Sequence, residues 1–165
     1  MVKQIVYLRK TLAMYQYTSK QELNTTLEKA WDFLSDPKNL KRITPSYMGF
    51  DILSGADRQM FPGQIIQYRL TPVLGIPFRW VTEITHVQEG SYFVDEQRFG
   101  PYTFWHHKHF IKKTKKGILM EDIVDYKLPL GPLGWLAHTL FVRSKVKQIF
   151  DYREKALNEI FNSTK

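Results

Sequence analysis

Between Trp80 and Tyr126 the chain reads as strand after strand rich in Trp, Phe, Tyr and Val. It then turns into a helix of roughly thirty residues that runs to the C-terminus. Few folds accommodate both. Strands joined by short turns must be antiparallel neighbours. A helix of that length measures about 45 Å at 1.5 Å rise per residue, too long to plug one end of a sheet. It must lie along the sheet, and a sheet that curves around it leaves space beneath. The strands also carry Glu83, Asp95, Glu96, Arg98, His106, His107, His109 and Asp122. Charged groups set among aromatic strands suit a cavity for a small, mostly apolar molecule.

The remaining elements follow from local signals. Residues 12–23 have the length of a first strand, though their alternation is imperfect. Asn24 and Thr25 are candidate helix N-caps, with Glu28 at capping-box spacing from Thr25. Leu27, Ala30, Trp31 and Leu34 then fall at helical spacing. Asp36-Pro37 starts a second short helix, which Thr44-Pro45 ends. Further strands are expected over 50–54, 64–70, 79–88, 91–98, 102–112 and 118–128. The segment 71–77, with two prolines and a glycine, reads as a loop or a sheet edge. Lys112, Lys113, Lys115 and Lys116, followed by Gly117, read as a solvated hairpin tip. Gly131-Pro132 opens the long helix. Leu133, Leu136, Leu140, Val146, Ile149, Phe150, Leu157 and Ile160 give it an apolar stripe. The expected fold is α+β: a curved antiparallel sheet of six to seven strands around one long C-terminal helix, with two short helices after the first strand.

Composition narrows the function classes. The 165 residues set one domain, residues 1–165, as the default. A hydrophobic share of 43% excludes disorder. The chain has no cysteine, which excludes disulfides, thiol nucleophiles and Cys-based metal sites. The first ten residues, MVKQIVYLRK, lack the apolar core of a signal peptide. No run approaches the roughly 18 apolar residues of a membrane span, so a cytoplasmic location is expected. The net charge of +8 favours anionic partners, but the positive residues are scattered and no nucleic-acid-binding motif accompanies them. Nucleic acid is therefore not an expected partner, and neither is an obligate protein partner.

Alternation assigns side chains to strand faces without saying which face is inward. Trp105, His107 and His109 share a face, with Phe104, His106, Lys108 and Phe110 opposite. The His-x-His pair can ligate a metal if a neighbouring strand adds a carboxylate, His86 or Glu83. The plainer reading is a satisfied polar pair, and no cofactor is expected. Glu96 and Arg98 share a face of their strand, and Glu83 lies on the strand before it. They are candidate polar anchors, with Arg98 forking onto a ligand carboxylate or phosphate. The bland alternative is a ladder of ion pairs in solvent. Asp122, among apolar neighbours on a face that includes Tyr126, is a candidate acid or base. The ligand-binding candidates are Tyr68, Trp80, Glu83, Glu96, Arg98, Trp105, His107, Asp122, Tyr126 and Trp135; the catalytic ones are His107, Asp122 and Glu83. At 131–142 apolar residues surround much of the helix. That pattern fits burial, a lid, or transient contact with a membrane, where Arg143, Lys145 and Lys147 suit anionic headgroups.

Several words of the sequence carry a family resemblance. FLSDPKNLKRITP resembles the two-helix segment of bacterial START-like proteins. FPGQIIQYRL, WVTEITHV, FVDEQRFGPYTFWHHKHF and DIVDYKLPLGPLG resemble an uncharacterised bacterial subgroup of the polyketide cyclase/dehydrase-like, or SRPBCC, proteins. The resemblance covers nearly the whole chain beyond residue 12. It implies a helix-grip fold and a cavity for a small hydrophobic or amphipathic ligand. It names no universal catalytic set. Two alternatives stay open beside ligand binding. One is a cyclase, dehydratase or hydrolase that uses a His–carboxylate pair in the same cavity. The other is a membrane-surface or protein-interaction module.

Overall fold

The computed structural model describes residues 4–8, 14–73 and 76–162. The sheet has eight antiparallel strands: β1 (Gln4–Leu8), β2 (Met14–Leu23), β3 (Asp51–Ser54), β4 (Gln64–Val73), β5 (Ile76–Gln88), β6 (Tyr92–Phe99), β7 (Phe104–Thr114) and β8 (Gly117–Lys127). Their order across the sheet is β1-β2-β8-β7-β6-β5-β4-β3. From β3 to β8 the chain meanders, each strand pairing with the next. β2 then pairs with β8, so the sheet's two sequence ends meet in its interior. β1 lies beyond β2 and is the strand added to the expected seven. Residues 12 and 13 of the expected first strand lie outside the described residues.

Between β2 and β3 come α1 (Leu27–Leu34) and two 3₁₀ segments, Pro37–Ile43 and Ser46–Met48. The helix cap is a correction. Thr26, not Asn24 or Thr25, has the extended backbone of an N-cap, and its side chain accepts from Lys29 N. Asp36 caps the next segment by accepting from Lys38 N, with Pro37 at the first helical position. Residues 71–77 are also corrected. Residues 74 and 75 lie outside the description, but β4 and β5 continue as paired strands to Val73 and from Ile76. Pro72 falls at a register shift between Leu70 and Val73, the kind of position at which a strand tolerates a residue without an N–H. The lysine-rich tip is a tight turn, with Thr114 opposite Gly117.

The C-terminal helix spans 132–161 in three parts: α2 (Pro132–Ala137), a π-helical turn (His138–Val142) and α3 (Arg143–Phe161). Leu130 and Gly131 both have positive φ, so the chain turns sharply out of β8 before the helix begins. Gly134 then lets the helix pass close to that turn, since a Cβ there would meet the Pro129 carbonyl at 2.1 Å. No described helix is long and apolar enough to cross a membrane, which says nothing of strands.

The strands alternate cleanly where they matter. On β8, Ile118, Met120, Asp122, Val124 and Tyr126 are buried and the residues between them are half-exposed. The apolar interior divides into three clusters. One joins α1 and the C-terminal end of α3 through Trp31, Leu34, Phe93 and Leu157. A second gathers Met48, Phe50, Ile66 and Tyr68 near β3 and β4. A third packs Tyr15, Tyr17, Tyr126, Val146 and Phe150 between β2, β8 and α3. This is the helix-grip arrangement: a curved sheet closed around one long helix.

Candidate functional site

Between sheet and helix lies a cavity of about 510 Å³. Members of all three clusters wall it, among them Leu34, Phe50, Tyr68, Ile84, Val146 and Phe150. Trp80 and Trp105 form one side, their rings edge to face at 5.3 Å. The Trp80 indole N–H is satisfied by Thr82 Oγ1 at 3.0 Å, so it makes no demand on a ligand. Burial and the charge of Asp95 push the Tyr68 hydroxyl up, and burial does the same for Tyr102; both stay protonated.

The polar part of the wall comes from three adjacent strands and the helix. Register sets Asp95 on β6 opposite His107 on β7, and His109 on β7 opposite Asp122 on β8. All four point inward and form a closed box. His107 Nδ1 lies 3.3 Å from Asp95 Oδ2, and its Nε2 lies 3.0 Å from Asp122 Oδ1. His109 Nε2 lies 2.8 Å from the same Asp95 oxygen, and its Nδ1 lies 2.8 Å from the same Asp122 oxygen. From α3, Arg153 brings Nη2 to 3.2 Å from His109 Nδ1 and 3.6 Å from Asp122 Oδ1. Phe93 stacks on the His109 ring at 4.1 Å. Asp95, His107, His109 and Arg153 line the cavity; Asp122 lies behind them.

Lone ionised groups at this depth would cost several kcal/mol each, so they must neutralise one another. Burial opposes ionisation of Asp95, but the His107 charge and hydrogen bonds from His107 and His109 outweigh it and hold the carboxyl well below the usual range. For Asp122 burial is likewise outweighed, first by the Arg153 charge and then by both histidines. Burial disfavours charged His107, yet two carboxylates raise its pKa. Burial and the His107 charge lower that of His109. The consistent proton assignment has His107 as an imidazolium donating to both acids. His109 is neutral and donates Nε2–H to Asp95; its bare Nδ1 lies 2.8 Å from Asp122 Oδ1, with the Arg153 guanidinium against both atoms as the cation between them. Two negative and two positive groups then balance.

Several expected site residues fall elsewhere. Glu83, Glu96 and Arg98 are corrected as cavity anchors, because they lie on the sheet's outer face. Arg98 donates to Glu83 at 2.6 Å and to Glu96 at 3.0 Å, and Glu96 also meets His106 at 3.0 Å. The ladder crosses β5, β6 and β7, and the Arg98 side chain is 47% exposed. His86 is removed from the Trp80 face by a register shift between Ile84 and His86, and it is exposed. Tyr126 is fully buried beneath the wall, bonded to His138 Nε2 at 2.9 Å. Trp135 is half-exposed, on the helix surface away from the cavity lining. Tyr68, Trp80, Trp105 and His107 do line the cavity, together with His109.

Two wall residues escaped the sequence reading as site candidates. Asp95 could have been found from its face, which it shares with Phe93 on a strand beside the His-x-His pair. Arg153 carried a sharper signal. Val146, Phe150, Arg153 and Leu157 fall three or four residues apart, so a cation interrupts the apolar stripe.

The fold and this wall define a helix-grip protein with a largely apolar cavity and one buried ionic corner. Solved structures share that fold. The crystal structure of protein Ms6760 from Mycobacterium smegmatis superposes with a TM-score of 0.64 at 16% identity, covering 95% of this chain and 98% of that one. TTHA0849 from Thermus thermophilus gives 0.69 at 13% identity over 87% and 94%. Ara h 8.0201 gives 0.62 at 14% over 92% and 99%. No family model and no curated protein matches the chain.

Proposed function

We propose that this protein binds a small hydrophobic or amphipathic molecule in the cavity. In this reading residues 1–165 form one ligand-binding domain of the bacterial START-like, SRPBCC kind, acting in the cytoplasm by transport or sequestration. The observation that carries it is a cavity of about 510 Å³, mainly apolar, with its ionic groups gathered in one corner. Apolar burial at about 25 cal/mol per Å² supplies the affinity, and the corner beside His107 and Arg153 orients the polar end. Native mass spectrometry of protein purified from its own host is the direct test. The expected result is a retained molecule of a few hundred daltons, released on denaturation. Protein that carries nothing, and that binds no apolar fluorescent probe while folded, counts against the reading.

A second feature favours loading from a lipid surface. Leu130, Leu133 and Leu140 are 74%, 66% and 70% exposed, and Phe141 is 45% exposed. Leu130, Leu133 and Phe141 also line the cavity, so the exposed apolar patch is continuous with its mouth. Arg143 and Lys147 lie in the following turns of the helix. Co-sedimentation with anionic vesicles at low salt, reduced by Leu133→Ser with Leu140→Ser, is the expected outcome. Absence of sedimentation at low salt would remove the idea.

A further inference from the structure

The ionic box poses a question of lone pairs. Four nitrogen–oxygen contacts join two rings to two single carboxylate oxygens. Each contact needs a proton between nitrogen and oxygen, or a cation in its place, because bare lone pairs repel. The box also has two different sides. Asp122 is on the closed side, and Asp95 is on the side that opens to the cavity.

When both rings give their N–H groups to Asp122 Oδ1, the tautomers are fixed. Three bare donors then converge on the cavity side: His107 Nδ1, His109 Nε2 and Asp95 Oδ2. One donor atom from each of these residues lies within 4.8 Å of the others. The two nitrogens stand 3.3 and 2.8 Å from the carboxylate oxygen. Metal–ligand bonds of about 2.1 Å place neighbouring donors about 3.0 Å apart in an octahedral shell and about 3.4 Å apart in a tetrahedral one. The observed separations of 2.8 and 3.3 Å lie on either side of the octahedral spacing and just under the tetrahedral one.

The geometry points to a divalent transition-metal site on Asp95, His107 and His109, of the two-histidine, one-carboxylate type that suits zinc or ferrous iron. Asp122 is the outer carboxylate that accepts from both ligand rings, fixing their orientation and raising their donor strength. Arg153 stays on the Asp122 side and offsets that buried charge. With the ion in place His109 donates Nδ1–H to Asp122 instead of accepting from Arg153. All three ligands come from one wall, so the remaining coordination positions face the cavity. Two carboxylates, one guanidinium and a divalent ion leave one net positive charge there. An anionic oxygen on an otherwise apolar ligand is the group that completes the shell. The metal site goes beyond the ligand-binding reading; this last point rests on it.

This departs from the expectation that no metal is bound, which counted only two ligands in the His-x-His pair. The third is Asp95, brought opposite His107 by strand pairing.

The test is a titration of chelator-treated, dialysed protein with Co²⁺, followed by Zn²⁺ displacement. The expected result is saturable visible absorption at one ion per chain, lost on adding Zn²⁺, and a thermal midpoint that rises with the ion. Asp95→Asn and His109→Gln should each weaken binding by about 100-fold, as ligand loss does at least as much as loss of an outer partner. His106→Gln on the outer face should leave it unchanged. X-ray absorption on the Zn²⁺-loaded wild type should show two imidazoles, a reading that does not depend on any variant folding. Failure to saturate at one ion per chain, binding that survives Asp95→Asn, binding lost in His106→Gln, or fewer than two imidazoles would overturn the site. Apolar-probe binding by the metal-free protein reports on the cavity alone, so the two readings fail separately.

Discussion

Asp122 shows how much one buried side chain can organise. It accepts from His107, lies 2.8 Å from His109 Nδ1 and faces Arg153, and it is 2% exposed. Asp122→Asn keeps the shape and removes the charge, leaving Arg153 and His107 short of a counter-ion. The expected cost in urea unfolding is about 3 kcal/mol, the scale for breaking a buried pair. Glu96→Gln, in the exposed ladder with Arg98, should cost under about 1 kcal/mol by the same measurement. Similar costs for the two would show that the buried box is not the more tightly coupled. His138 gives a pH prediction. Its ring stacks on Tyr15 at 3.5 Å and meets the Tyr126 hydroxyl at 2.9 Å. Burial, and then the charge of Arg143, lower its pKa from 6.5 to about 4. Between those values the unfolded chain holds a proton that the folded chain lacks. The stability His138 contributes is therefore complete above pH 6.5 and is lost as pH falls towards 4. Unfolding free energies measured across that window should slope with pH, and His138→Gln should flatten the slope while lowering stability at about pH 7.5.

Among the elements, the broken C-terminal helix is the most informative. Periodicity reveals one helix of about thirty residues, and the structure has it over 132–161. The π turn at His138–Val142 falls where the expected apolar stripe breaks: Leu133, Leu136 and Leu140 are exposed, whereas Val146, Phe150 and Leu157 beyond it are buried. The preceding α2 runs close to the turn after β8, where Gly134 faces the Pro129 carbonyl. Gly134→Ala separates two opposed effects. Helix propensity alone would favour Ala by about 1 kcal/mol. A methyl 2.1 Å from the Pro129 carbonyl must instead push the helix start away. The expected net result is a loss of about 1–3 kcal/mol, the cost of overpacking, read as a lower thermal midpoint. A midpoint that rises would mean that the close approach is not a constraint.

For the whole molecule, the decisive quantity is the space between sheet and helix. Ile149 projects from α3 into the cavity and packs on the cluster around Tyr68. Ile149→Trp should fill part of the hollow with little loss of stability, and should weaken an apolar probe by at least about tenfold, or about 1.4 kcal/mol. Probe titration and thermal melting together check both halves; unchanged affinity in the folded variant would place the probe outside the cavity. The sequence by itself determined the order of elements from β2 onward, the long C-terminal helix and the grouping of Trp105, His107 and His109 on one strand face. Each depends on backbone periodicity, which is local and is written in neighbouring residues. Only the tertiary structure decided which faces turn inward. It sent Glu83, Glu96 and Arg98 outside and brought Asp95 in, and a register shift after Ile84 carried His86 off the inner face. It also set Arg153 beside His109 across 44 residues of chain. Register, bulges and helix docking are settled by the joint burial of distant segments, and so by the free energy of the whole packed molecule.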